Sequence, residues 1–279
     1  MKHQETRYGG SKNLRIYAQS WLPDRVRASV VVCHGLGEHS GRYAHVATAL
    51  VNAGCAVHAL DHRGHGRSEG PRALLDRFSN AVADIDSLVE RVRRQHAREP
   101  LFLLGHSMGG ALALGYALRY QDKLSGLVLS SPAVSLDGLP PLLSPFSKLL
   151  SEFLPRLGLY SVAPNLVSRD QGMVAGYVAD PLNHHGRVPV RTVAEIIRFV
   201  EGLPSKLPAL KLPLLLMHGK DDKLVRVSAS QRVHDGVTST DKTLKIYDGL
   251  YHEIFNELPR DRARVLKDLT RWIDQHMAA

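Results

Sequence analysis

Residues 101–110 read Leu-Phe-Leu-Leu-Gly-His-Ser-Met-Gly-Gly, and ALALGYALRY follows at 111–120. An apolar run of strand length meets a G-x-S-x-G turn, and a helical pattern begins directly after it. The chemistry explains the residue types. A serine hydroxyl is a poor nucleophile unless it is exposed and set beside a base. A sharp strand-to-helix turn exposes it, and such a turn leaves no room for side chains at Gly105 and Gly109. Ser107 is therefore the candidate nucleophile. The helix that starts at Met108 offers unpaired N–H groups and the positive end of its dipole, which suit a developing oxyanion.

The same texture extends to both sides. Short apolar runs alternate with amphipathic stretches, the pattern of a mostly parallel sheet flanked by helices. Strands are expected over 14–19, 29–33, 56–60, 101–104, 126–129, 213–217 and 243–247. Helices are expected over 43–53, 79–96, 108–120, 228–237 and 259–277. The alternation breaks once, where LPPLLSPFSKLLSEFLP at 139–155 and RTVAEIIRFVEGLP at 191–204 bring a proline- and leucine-rich texture. This stretch is too long for a plain loop and is expected to carry its own helices. The organisation read from this is an α/β core over 1–131 and 211–279, with a helical cap inserted at 132–210.

A second oxyanion donor is expected from a loop after an earlier strand. HGLGEH at 34–39 follows SVVVC and flanks Leu36 with glycines, so the backbone N–H groups of Leu36 and Met108 form the candidate pair. For the base there are 15 histidines. In sheets that present a serine on such a turn, the chain order is serine, acid, histidine. His252, in DGLYHEIFNE between the last strand and the last helix, satisfies that order. The acid belongs after PLLLM, in HGKDDKLV, where Asp221 and Asp222 compete. The H-G-x-x-D-x-x-V arrangement that is usual for the acid of such serine–histidine sites favours Asp222 over Asp221, and Asp222 would orient the His252 ring and stabilise its imidazolium. DHRGHGRSEG at 61–70 matches neither a dinucleotide fingerprint nor a P-loop and reads as a structural loop.

Composition narrows the field further. Lysine and arginine number 36 against 27 acids, a formal charge of +9. The charges are dispersed and no zinc-finger or RNA-binding signature accompanies them, so nucleic acid is not an expected partner. No H-E-x-x-H or comparable ligand spacing calls for a metal, and the chemistry needs no organic cofactor. Cys33 and Cys55 sit in apolar runs and read as buried free thiols. The N-terminal stretch has no apolar segment of signal-peptide length and no window spans a bilayer, so the expected location is cytoplasmic, with surface contact to membranes open.

Taken together, HGLGEHSGRY, DHRGHGRSEG, GHSMGG, HGKDDKLV and YHEIFNE resemble the monoacylglycerol lipases of the α/β-hydrolase superfamily, and DPLNHHGRVP at 180–189 looks like the cap of bacterial members. The resemblance runs from about Ser29 to Glu257. It implies an α/β-hydrolase fold, a triad of Ser107, Asp222 and His252, and an oxyanion hole at Leu36 and Met108. It also implies polar pocket contacts from Arg42, Tyr43 and His106, and a membrane-touching cap over an acyl tunnel. One position departs: where the mammalian members carry a further histidine three residues after the triad histidine, this chain has Phe255. The implied substrate is a monoacylglycerol. A broader carboxylesterase or lysophospholipase of the same fold is the nearest alternative, and a slow-turnover binding receptor on this fold the remote one.

Overall fold

Within the computed structural model, residues 1–137 and 143–277 are described, the side chains of 143 and 144 excepted. Among the described residues eight strands form one sheet: β1 (Lys2–Gly9), β2 (Arg15–Leu22), β3 (Ala28–Cys33), β4 (Cys55–Leu60), β5 (Leu101–His106), β6 (Gly126–Ser130), β7 (Leu214–Gly219) and β8 (Lys242–Tyr247). Their spatial order is β1-β2-β4-β3-β5-β6-β7-β8. The pairs β1/β2 and β2/β4 run antiparallel and every later pair parallel.

The parallel strands read as continuous apolar runs because both of their faces are covered. Along β3 and β5 the side chains alternate between two cores. Val31, Cys33, Leu101 and Leu103 face one side, where α2 (Phe78–Gln95), α3 (Met108–Tyr120) and α7 (Ser228–Gly236) pack. Val30, Val32, Phe102 and Leu104 face the other, beneath α1 (Ala44–Asn52) and α8 (Pro259–His276). Cys33 and Cys55 are buried free thiols. No helix among the described residues is long and apolar enough to cross a membrane.

Strand β1 has no counterpart in the sequence reading. Its residues, KHQETRYG, are polar and exposed except Tyr8, so neither hydrophobic alternation nor an apolar run marks it. Backbone pairing with β2 and the Tyr8 hydroxyl donating to the Asp84 carbonyl at 2.9 Å hold it in place.

Between β6 and β7 lie α4 (Leu143–Phe153), α5 (Gln171–Ala179) and α6 (Val190–Glu201). α4 and α6 fall on the two leucine- and proline-rich pieces; 139–142, from the first of them, lie outside the described residues. α5 is started by Asp170, whose carboxylate accepts from the N–H groups of Gly172 and Met173. α6 is docked on the sheet-covering helices. Phe199 stacks on Phe78 with ring centroids 4.2 Å apart, and the Thr192 hydroxyl donates to the Ala73 carbonyl at 2.7 Å. Residues that follow β3, β5, β7 and β8 converge at the carboxyl edge of the parallel strands, where open sheets of this kind bind ligands.

Candidate active site

Ser107 stands between β5 and α3 with φ 53° and ψ −118°, a conformation that costs a non-glycine residue about 1–3 kcal/mol. Hydrogen bonds on both sides enforce it. The Ser107 N–H donates to the Ser130 carbonyl at 3.0 Å, and its carbonyl accepts from Ala111 at 3.1 Å and Ala133 at 2.9 Å. The flanking glycines are a steric necessity. A Cβ on Gly109 would lie 2.2 Å from the Cys33 carbonyl oxygen, and one on Gly105 would lie 2.4 Å from that of Gly109.

Asp222 and His252 arrive from separate turns. The His252 ring donates through Nδ1–H to Asp222 Oδ2 at 2.6 Å. That carboxylate is out of solvent, and its other oxygen accepts the N–H groups of Leu224 at 2.8 Å and Val225 at 2.9 Å. His218 approaches Asp222 Oδ2 through Nε2 at 3.1 Å and the Val225 carbonyl at 2.9 Å. Both are acceptors, so Nε2 donates, and Nδ1 lies 2.7 Å from the Ser230 hydroxyl oxygen. Asp221, by contrast, is exposed. Burial alone would raise the Asp222 carboxyl, but the facing His252, the His218 bond and the Val225 N–H outweigh it and hold it well below the usual carboxylate range. Burial pulls His252 down, yet the carboxylates of Asp222, Glu253 and Glu38 leave it above its ordinary value.

One cavity joins these pieces. Ser107, Met108, Leu36, His106 and His252 line it, with Leu136, Val162, Val167, Val193 and Ile197 among its apolar walls. Its polar contributions include Glu38, Glu253 and Tyr177. His106 packs against the His252 ring at 4.7 Å and faces the Ser130 carbonyl and hydroxyl through Nδ1. Burial, reinforced by the neighbouring His252, lowers it to about 4, so at neutral pH it is an uncharged wall.

Arg42 and Tyr43 are placed differently from what the resemblance implies. Neither lines the main cavity; both line a small adjoining pocket with His45, Glu253 and Asn256. Arg42 donates to Glu38 Oε2 and to both oxygens of Glu253, each at 2.7 Å, and its guanidinium lies 4.9 Å from the Tyr177 ring centre. The Tyr43 hydroxyl donates to Glu38 Oε1 at 2.7 Å. Of this cluster Glu38 and Glu253 are among the residues lining the main cavity, and Arg42 and Tyr43 hold their carboxylates. Burial would raise Glu253, but Arg42 brings it down to about 2. Sequence reasoning missed Glu38 and Glu253. The signal was present, since one lies two residues after Leu36 and the other directly follows His252, but nothing local ties them to a shared arginine.

DHRGHGRSEG is a framework loop. The Asp61 carboxylate accepts from the Ser40 hydroxyl at 2.6 Å and the Arg67 N–H at 2.8 Å, while buried Arg63 donates to Asp84 at 2.8 Å.

A mostly parallel sheet that lifts a strained serine into a cavity, with a buried Asp–His pair brought in from later loops, defines the α/β-hydrolase class. The chain belongs to the Hydrolase_4 family, described as serine aminopeptidase, S33, whose model matches residues 24–259. It is 42% identical over 275 residues to a monoacylglycerol lipase of Mycolicibacterium smegmatis, with 98% of each chain covered. It is 35% identical over 268 residues to the human monoglyceride lipase, covering 94% of this chain and 88% of that one. The crystal structure of the Paleococcus ferrophilus monoacylglycerol lipase superposes with a TM-score of 0.84 at 32% identity, covering 99% of this chain and 100% of the other.

Proposed function

We propose that this protein is a serine hydrolase that cleaves monoacylglycerols to glycerol and free fatty acid through an acyl-enzyme. The observation that carries the reading is the strained Ser107 sharing one apolar-walled cavity with His252, whose ring is held by buried Asp222. His252 takes the hydroxyl proton as Ser107 Oγ attacks the ester carbonyl, and the N–H groups of Leu36 and Met108 receive the oxyanion. The C–O bond to glycerol breaks as His252 returns the proton to the departing alkoxide. Water, deprotonated by the same ring, then attacks the acyl-enzyme and releases the fatty acid. Asp222 keeps its charge throughout and stabilises the imidazolium.

The substrate class rests on the lipase relatives and on the cavity's make-up. Apolar walls suit an acyl chain, and the carboxylates of Glu38 and Glu253 are acceptors suited to glycerol hydroxyls. Residues 132–210 act in this reading as a cap over the site. Its outer face supports contact with membrane surfaces by a cytoplasmic enzyme. Phe146, Leu149 and Phe153, spaced to share one side of α4, are 58%, 66% and 76% exposed.

Initial rates on matched mono-, di- and triacylglycerols and a lysophospholipid test the reading. A strong preference for the monoacylglycerol is expected. Equal or faster turnover of the lysophospholipid would move the function to a broader lipid esterase, and no turnover of any ester would remove it.

A further inference from the structure

The loop that carries His252 is held from an unexpected side. Glu257 is wholly buried; its Oε1 accepts the Tyr251 N–H at 2.7 Å, and its Oε2 accepts Arg169 Nε–H at 2.9 Å. The same guanidinium reaches on to Asp261 in the first turn of α8. Beside it, the Ser168 hydroxyl donates to the Asn256 carbonyl at 2.7 Å, and the Glu253 N–H donates to the Val167 carbonyl at 2.8 Å. Three consecutive residues of the β6–β7 excursion therefore grip the loop at 253, 256 and 257. Asp170, which caps α5, follows immediately, so the grip is continuous with that helix.

We propose that Val167–Arg169 is a positioning clamp for His252, with the Arg169–Glu257 ion pair as its centre, so that seating of the β6–β7 excursion sets the pose of the general base. The inference rests on the reading of His252 as that base. The physical chain is short. Tyr251, next to His252, hangs by its N–H from a carboxylate whose one guanidinium partner among the described residues is Arg169. Without that cation the buried carboxylate must turn toward water or take up a proton. Either change weakens the hold on the Tyr251 N–H, since a protonated carboxyl is a poorer acceptor than a carboxylate, and frees the His252 ring from its 2.6 Å alignment with Asp222. Asp222, Glu253 and Glu38 are the anionic groups acting on that ring, and His106 packs across from it. A ring swung off Asp222 becomes easier to deprotonate.

The test compares wild type, Ser107→Ala, Arg169→Ala, Arg169→Lys and Asp261→Asn on one monoacylglycerol across pH, with active sites counted by fluorophosphonate titration. For Arg169→Ala, kcat per titrated site should fall roughly tenfold to a hundredfold, the scale of a misplaced catalytic group. KM should move less than about threefold, and the acid limb of kcat should shift to lower pH. Arg169→Lys, which keeps the charge on Glu257, should recover part of both effects, and Asp261→Asn should stay close to wild type. An Arg169→Ala enzyme with wild-type kcat, or with lowered kcat and an unmoved acid limb, overturns the clamp. If Arg169→Ala does not fold, Ser168→Ala, which removes the bond to the Asn256 carbonyl, is read in the same way. A wild type that hydrolyses no ester, or a Ser107→Ala that still does, refutes the underlying functional reading; an active wild type with an indifferent clamp variant refutes the clamp alone.

Discussion

Replacing Gly109 by alanine puts a methyl group where the end of β3 already stands. The added Cβ would lie 2.2 Å from the Cys33 carbonyl oxygen and 2.3 Å from that of His34. An ordinary carbon–oxygen contact is about 3.3 Å or longer, so the first turn of α3 must retreat by about 1 Å. Neither obstacle is a flexible side chain; both are backbone atoms at the end of a fully buried strand. Overpacking of this kind costs about 1–3 kcal/mol, and for a chain of this length Tm should fall by roughly 2 °C per kcal/mol. Activity should suffer more than stability. Ser107 and the Met108 N–H ride on that turn, and a displacement of about 1 Å can cost on the order of a hundredfold in rate. The assay is the second-order rate of fluorophosphonate labelling, read alongside kcat/KM and Tm. Gly176→Ala serves as the control, because a Cβ there meets nothing within 4 Å on helix α5. If Gly109→Ala labels within about threefold of wild type with Tm unchanged, the steric account of the turn is wrong.

Asp222→Asn should lower kcat by roughly 10⁴-fold, whereas Asp221→Asn should stay near wild type; the reverse pattern would overturn the assignment of the acid. Because His252 must be neutral to accept the Ser107 proton and its pKa is raised, kcat should fall off on the acid side from above pH ~6.5, and Asp222→Asn should move that limb lower. Arg42→Met strands Glu38 and Glu253 and should cost about 3–5 kcal/mol at neutral pH by urea unfolding. Glu253 is depressed to about 2, so the stabilisation it receives is complete above its unfolded pKa near ~4.3 and is lost as pH falls toward 2. The Arg42→Met penalty should therefore shrink over that window, and a penalty indifferent to pH would contradict the network. Changing Phe146, Leu149 and Phe153 together to serine should cut sedimentation with anionic vesicles by at least about tenfold while leaving turnover of a short, water-soluble ester unchanged. Equal vesicle binding by this variant would show that α4 is not the docking face.

What the residues determine by themselves is local and periodic. The apolar runs at 29–33, 101–104 and 213–217 announce buried strands because parallel strands covered on both faces need no alternation. The turn at 105–109 announces itself because only glycine tolerates the approach of Cys33 and Gly109 carbonyls. Chain order pointed to His252, and the arrangement usual for the acid favoured Asp222 over Asp221; the structure sets the His252 ring 2.6 Å from Asp222. Tertiary structure decided the rest. Strand β1 is polar and becomes a strand only because β2 offers it a free edge, so no pattern within 2–9 encodes it. α5 is marked by its Asp170 cap more than by any apolar stripe. Arg42 meets Glu253 across 211 positions of chain, and Arg169 meets Glu257 across 88. Such encounters depend on which strands lie side by side. That order, β4-β3-β5-β6-β7-β8 along the parallel part of the sheet, is a property of the packed core rather than of any stretch within it.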